Sequence, residues 1–571
     1  MVHYDEILKH VGEFGTYQKR MCLFAYLPSL SVGMHMMAMV FLAATPGHRC
    51  RAPEGEVLAA RYNWTEPELL NMTIPWMKDD DGKWVLDSCK RYDLTTVEVN
   101  DSSANRSEWN VTSCDAGWTY DLSQYKTSIT IENDIVCSDK WLASMAQSIF
   151  MLGVLVGSIT FGDLSDRFGR KVIMVVANAL LAISGIATTF APNFTAFVIL
   201  RFIVGIQCMG IYLVNFVLEI VGPSRRTLAG TLDYASFTVG FMMLGGIAYF
   251  IRTWRHVQLA MSLTSVLWMP LWGAVTESPR WLLAKGRTEE ARVIVEKMAA
   301  TNGVNFPQTL WEKMLESMDT SVATPENGRF YSARDLIRTP NLAKISAVIF
   351  YNWAVTIIVY YGLSLNTSAL DGDDYINFFL SGLIEFPALL MSVIAIEKWG
   401  RRSTHIVLMV VGGTACICTV FVPSDLFPLT MTLAMIGKFG ITACLNIVFI
   451  WTGEIYPTVI RNLGLGVSSM FARLGGIISP FIALLVDTWK PLPYIMFGGL
   501  SVLGGILCLV LPETLGTPLP QTLEEAEDYG KVGSLLCPVV GHREDPENSK
   551  EAAADSPPTN PDFCVSHETA L

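Results

Sequence analysis

Twelve apolar runs, each about 20 residues long, constrain this 571-residue chain more than any other feature. They fall near 21–43, 141–161, 172–191, 195–217, 228–251, 257–275, 344–363, 376–396, 403–422, 428–450, 462–485 and 492–511. A helix of that length crosses a hydrocarbon core about 30 Å thick and satisfies its backbone N–H and C=O groups internally. The expected fold class is therefore an all-α membrane protein with twelve transmembrane helices. Composition agrees, with 51% of residues hydrophobic and only 16% charged. The formal charge of −12 describes the water-facing parts, because acidic residues gather between 43 and 140 and in the tail. Residues 1–20 carry Asp5, Glu6, Lys9, Glu13, Lys19 and Arg20 without an apolar run, so no cleavable leader is visible.

Basic residues set the orientation. Arg167, Arg170, Lys171, Arg225, Arg226, Lys398, Arg401, Arg402 and Arg461 all fall in even-to-odd connections. By the positive-inside rule these connections and both termini are cytoplasmic. The expected organisation is a cytoplasmic segment 1–20, a six-helix half 21–275, a cytoplasmic helical linker 276–343, a second half 344–511 and a cytoplasmic tail 512–571.

The connection 44–140 then lies outside. It holds five glycosylation acceptors, Asn63, Asn71, Asn100, Asn105 and Asn110, each opening Asn-x-Ser/Thr. It also holds Cys50, Cys89, Cys114 and Cys137, which predict two disulfides with three pairings open. In the linker, apolar residues recur at helical spacing over 281–298, predicting one amphipathic helix under the bundle. The tail turns polar and rich in Pro, Glu and Asp, and is expected to be disordered beyond about 531. It ends Glu568-Thr-Ala-Leu571, which fits strand addition to a PDZ-domain partner.

A repeat runs through the connections. Gly162-Asp-Leu-Ser-Asp-Arg-Phe-Gly-Arg-Lys171 is echoed by Glu397-Lys-Trp-Gly-Arg-Arg402. Glu219-Ile-Val-Gly-Pro-Ser-Arg-Arg226 is echoed by Glu454-Ile-Tyr-Pro-Thr-Val-Ile-Arg461, and Glu277-Ser-Pro-Arg280 by Pro512-Glu-Thr-Leu-Gly516. The common offset implies two pseudo-symmetric halves. Such duplication places a substrate site near the bilayer midplane between the halves.

These residues resemble the major facilitator superfamily. The 162–171 stretch is similar to its loop motif, and the resemblance implies a conformational latch formed by Gly162, Asp166, Arg167, Gly169 and Arg170 with Glu219, Glu454 and Arg461. Thr127-Ser-Ile-Thr-Ile-Glu-Asn-Asp-Ile-Val-Cys137, Glu277-Ser-Pro-Arg-Trp-Leu282 and Gly453-Glu-Ile-Tyr-Pro-Thr-Val-Ile-Arg-Asn462 resemble one branch, the organic cation, anion and carnitine transporters of solute carrier family 22. Asn133 stands where that branch usually carries Trp. Tyr4-Asp-Glu-Ile7 and Ala44-Thr-Pro-Gly-His-Arg-Cys50 are similar to its carnitine members, and 141–171 to a carnitine- and polyamine-carrying one.

Arg473 is the only ionisable residue in 463–486, and a guanidinium at bilayer depth costs about 2.5 kcal/mol or more unless it faces water or a partner. Glu385 in the eighth run lies at similar depth and supplies an opposite charge. The resemblance implies that cation-preferring members carry Asp at the Arg473 position, whereas carnitine members carry both charges. Trp353 and Tyr360 lie two helical turns apart, with Tyr361 adjacent. The resemblance places Phe241, Phe449 and Trp451 among cage aromatics. Such rings attract an ammonium by about 0.5–2 kcal/mol each. His35 is a further candidate within the first run. Lys438 is expected to pair with another intramembrane group. The competing reading of every one of these residues is structural: packing, capping or a buried pair.

No phosphate loop, zinc-spaced cluster or nucleophile elbow occurs, which argues against an enzyme and predicts no cofactor and no metal, with sodium the one candidate coupling ion. The reading is a plasma-membrane carrier of small zwitterionic or cationic organic solutes, carnitine first, working by alternating access in the lipid bilayer and binding no nucleic acid. The alternatives are a polyspecific carrier of choline-like, amine or polyamine cations, and a non-transporting sensor.

Overall fold

The computed structural model describes residues 4–78, 83–94, 109–212, 217–322, 331–367, 372–423, 426–517 and 519–529. Asn100, Asn105, the tail beyond 529 and its carboxyl terminus lie outside the described residues. Twelve long helices match the twelve apolar runs. They are α1 Thr16–Met37, α2 Trp141–Phe168, α3 Arg170–Thr189, α4 Phe194–Tyr212, α5 Arg226–Phe250, α6 Trp254–Trp268, α7 Pro340–Leu365, α8 Asp374–Trp399, α9 Arg401–Cys418, α10 Phe427–Ile455, α11 Arg461–Leu484 and α12 Leu492–Leu507. Among the described residues nine are long and apolar enough to cross a membrane. The other three, α1, α5 and α6, are diluted by Lys19, Arg20 and His35, by Arg226 and Asp233, and by Arg255, His256 and Gln258. α6 is also only 15 residues long.

The two halves pair their helices alike: α1 with α5, α2 with α4 and α3 with α6, then α7 with α11, α8 with α10 and α9 with α12. Helices in lipid gain little from apolar burial, so small residues that let backbones touch do the work. At the α1–α5 crossing a Cβ on Gly33 would sit 2.2 Å from the Phe237 carbonyl oxygen, and at α2–α4 one on Gly153 would sit 2.2 Å from that of Phe202. Between the halves, α2 meets α11 and α5 meets α8, again as symmetry requires.

α8 breaks between Leu383 and Glu385. Pro387 has no N–H to give the Leu383 carbonyl, and its ring crowds that turn. The break lies beside Glu385.

The described residues of the 44–140 segment form a small domain at one end of the bundle, the end that α1 reaches at Met37. Three antiparallel ladders pair β1 His48–Cys50 with β6 Trp118–Tyr120, β2 Trp76–Lys78 with β3 Trp84–Leu86, and β4 Lys90–Tyr92 with β5 Val111–Ser113. Of the three open pairings the structure has Cys50–Cys114 and Cys89–Cys137. Buried Arg91 joins Glu54 at 2.7 Å and Asp115 at 2.8 Å across the domain.

One expectation changes. The single helix predicted over 281–298 is two, Pro279–Ala284 and Thr288–Asn302, because Gly286 adopts φ +72° and turns the chain. To the N-terminal segment 1–20, for which the sequence reading names no element, the structure adds a helix: Tyr4–Val11 buries Tyr4, Ile7, Leu8 and Val11, with Asp5 2.5 Å from Arg226.

Candidate functional site

At the termini end each half carries the same bracket. In the first, Gly169 ends α2 at φ +105°, where a Cβ would lie 2.5 Å from a Glu277 carboxylate oxygen. That carboxylate accepts from the backbone N–H groups of Arg170 and Lys171, capping α3. Arg170 reaches Asp166 at 2.6 Å and Glu219 at 3.3 Å, and Ser278 donates to Glu219. In the second half Gly400 at φ +85° meets Glu513, which accepts from Arg401 and Arg402 N–H, while Arg401 reaches Glu454 at 2.9 Å and Thr514 donates to Glu454. Two residues of the expected latch stand apart. Among the described residues Arg167 pairs only with exposed Asp163, one turn away, at 2.9 Å, and Arg461 donates to the Tyr456 carbonyl and the Thr458 hydroxyl rather than to a carboxylate. Gly162 is an ordinary helical residue of α2.

At mid-bundle Glu385 is fully buried and does not meet Arg473. Its carboxylate lies 2.9 Å from the Lys438 ammonium of α10 and accepts from Thr238 of α5 at 2.7 Å. Ser364 of α7 accepts from the same ammonium. The Lys438 nitrogen also sits 3.5 Å from the Tyr360 ring centroid and 5.7 Å from that of Phe241. Two rings expected to face a substrate ammonium thus face a lysine. The contact explains why a lysine survives there: two rings, a hydroxyl and a carboxylate replace its water.

Arg473 has no ion-pair partner among the described residues. One guanidinium nitrogen donates to the Ser469 carbonyl at 3.3 Å, another touches the Met209 sulfur of α4 at 3.4 Å, and the buried Nε has no acceptor. Tyr361 and Tyr212 lie within electrostatic reach, and Tyr361 is influenced by both Arg473 and Glu385. On α5 Tyr234 stacks on Phe237, which Tyr212 of α4 meets edge-on. The sequence reading missed Tyr212 and Tyr234, whose run gives no local signal.

The remaining candidates scatter. Trp353 is buried, donates to Thr452 at 2.9 Å and meets Phe449 edge-on, with Phe449 itself 52% exposed. Trp451 is turned into the second half, donating to the Pro512 carbonyl and packing on His405, so it does not face the first half. His35 is buried inside the first half, where its carbonyl accepts from Arg201 at 3.1 Å. Arg201, fully buried in α4 with its guanidinium 4.2 Å from the Phe150 ring centroid, was overlooked although it is a lone charge in an apolar run just as Arg473 is.

Contacts that join the halves run from the loop-domain end to mid-bundle. Tyr125 donates to Asp374 at 2.7 Å, Tyr375 donates to the Gln124 carbonyl and stacks on Phe41, Lys140 pairs with Asp487, and Ser148 donates to the Ile477 carbonyl. The two brackets at the termini end each stay within one half.

The Sugar (and other) transporter family matches residues 98–526. The chain is 40% identical over 536 residues to the organic cation transporter protein of Drosophila melanogaster, covering 92% of this chain and 95% of that one. It is 38% identical over 564 residues to organic cation/carnitine transporter 2 of Homo sapiens, covering 96% and 97%. Among solved structures, the proton:xylose symporter XylE bound to 6-bromo-6-deoxy-D-glucose has a TM-score of 0.57 at 18% identity over 90% of this chain and 98% of that one. The inward open xylose transporter XylE from E. coli has a TM-score of 0.57 at 16% identity, covering 89% and 99%. Identities that low speak to the fold alone.

Proposed function

The chain belongs to the sugar (and other) transporter family of the major facilitator superfamily, among the organic cation and carnitine transporters of solute carrier family 22, and from that premise we propose that it moves small zwitterionic organic solutes, carnitine first. It is a multi-pass membrane transporter and not an enzyme. One observation carries the substrate reading: Arg473 is a guanidinium between the halves with no carboxylate of its own, while Glu385 is already neutralised by Lys438. A substrate carboxylate would complete Arg473, and its ammonium would lie against the partly exposed Tyr361 and Phe449. We place the carrier in the plasma membrane, with the disulfide-bonded, glycosylated domain outside and both termini in the cytoplasm. Closure at the loop-domain end and separate brackets at the other then correspond to a state open toward the cytoplasm, one arm of an alternating-access cycle.

The second reading is a polyspecific organic cation carrier, favoured by the position of Glu385 on the α5–α8 contact between the halves. Uptake by surface-expressed protein of labelled carnitine, a quaternary cation lacking a carboxylate and a simple organic anion, each with and without sodium, separates the readings. Carnitine uptake that the cation does not inhibit supports the first. Cation uptake without carnitine uptake removes it, and the sodium arms decide whether sodium is the coupling ion.

A further inference from the structure

At the loop-domain end a cavity of about 440 Å³ is lined by Lys126, Phe250, Ile251, Arg252, Thr253 and His256. Three of those side chains, Lys126, Arg252 and His256, are basic residues and none is acidic. Among the described residues none of the three forms an ion pair, whereas neighbouring Arg255 is taken by Glu132 at 2.9 Å. The wall is built rather than loose: the Lys126 N–H donates to the Arg252 carbonyl at 3.0 Å, Thr127 bridges Thr253, and the Arg252 guanidinium donates to the Ser123 carbonyl at 2.8 Å.

Ile251 and Arg252 also line a smaller void that continues inward past Thr127 and Trp254 to Tyr125 and Tyr375. Among the described residues the Trp254 indole N–H, 1% exposed, has no acceptor and the buried Thr127 hydroxyl has no partner. Around the mouth, Phe250 is 83% exposed and Tyr249 49% exposed, which gives the basic cavity an apolar rim on α5.

We propose that this cavity binds a phosphate-type anion, either a phospholipid headgroup whose chains lie along Phe250 and Tyr249 or free phosphate. Lys126 and Arg252 neutralise the charge, His256 lines the entrance, and the donors at the amino end of α6 complete the site. Its position has a consequence. The 123–127 strap that walls the cavity also carries Gln124 and Tyr125, which hold α8 through Tyr375 and Asp374. An anion that pins the strap to Arg252 therefore favours the state closed at the loop-domain end.

The test is thermal unfolding of the full-length protein in neutral detergent. Short-chain phosphatidylglycerol is titrated against phosphatidylcholine of equal chain length, and inorganic phosphate against chloride at matched ionic strength. Phosphatidylglycerol is expected to raise Tm and its zwitterionic counterpart not. Lys126→Gln with His256→Gln, both exposed positions, is expected to raise the half-saturating lipid concentration about tenfold with the unliganded Tm unchanged. Should the pair fold poorly, Lys126→Gln alone serves the same comparison. A rise with the lipid only assigns a membrane headgroup, and a rise with both probes assigns the phosphate itself. No rise beyond the two controls, or a rise the variants keep in full, overturns the site.

Discussion

Reversing Arg473 to Asp isolates the substrate contact, because the guanidinium gives up so little inside the protein. It donates once to a carbonyl at 3.3 Å and touches a sulfur at 3.4 Å, and among the described residues it pairs with no carboxylate, so Arg473→Asp deprives no existing acid of its partner. A bound carboxylate, by contrast, loses a charge-assisted hydrogen bond of about 1.5–3 kcal/mol. At 1.4 kcal/mol per decade that is an increase of roughly 10–150-fold in the half-saturating carnitine concentration. A quaternary cation without a carboxylate loses nothing and gains a charge of opposite sign, so its uptake is expected to hold or improve. The assay is uptake of labelled carnitine and labelled tetraethylammonium by cells with matched surface protein. Unchanged carnitine uptake would refute the contact. So would an equal fall for both substrates at matched surface protein, which would mean that Arg473 serves transport of any solute rather than a substrate carboxylate.

Other outcomes follow from the same geometry. Lys438→Met leaves Glu385 buried and unpaired and is expected to cost about 3–5 kcal/mol, with most of it regained in Lys438→Met/Glu385→Leu; a double-mutant cycle of thermal unfolding checks this. Gly169→Ala combines a left-handed φ with a Cβ 2.5 Å from Glu277 and is expected to cost about 1–3 kcal/mol and slow uptake, read from Tm and initial rates. Mass mapping after glycosidase treatment is expected to find sugar on exposed Asn63 and Asn110 but little on Asn71, whose amide oxygen accepts from Trp76 and whose Thr73 is buried. Non-reducing peptide mapping is expected to recover Cys50 with Cys114 and Cys89 with Cys137.

Much of the fold was legible because its signals are periodic. Apolar length located every span, and the offset motifs announced the brackets, in which Gly169 and Gly400, Glu277 and Glu513, and Glu219 and Glu454 take matching places. The centre was harder, because side chains that meet there come from helices far apart in sequence. The Glu385–Lys438 pair still had a readable sign. From Asp374 to Glu385 and from Phe427 to Lys438 is eleven residues each, so at about 1.5 Å per residue both charges lie at one depth on helices that pack together. Counting depth from the helix start, rather than pairing charges by their rarity, joins Glu385 to Lys438 instead of Arg473. Trp451 had no such sign, since facing His405 or the opposite half depends on helix rotation, which an apolar run surrounded by apolar neighbours does not encode.

The pairing bears on which solute the site suits. Glu385 and Lys438 cancel, leaving Arg473 as a positive charge between the halves with no ion-pair partner among the described residues. A zwitterion brings no net charge and can place its carboxylate against that excess. A simple cation adds a like charge, and two such charges about 8 Å apart repel by about 2 kcal/mol at an effective dielectric of about 20. To hold a cation the protein must free Glu385, which means moving Lys438 off the carboxylate, Ser364 and the Tyr360 ring together. On the reading proposed above, the arrangement seen here favours the zwitterion, and cation transport would call for a state in which α10 has carried Lys438 away from α8.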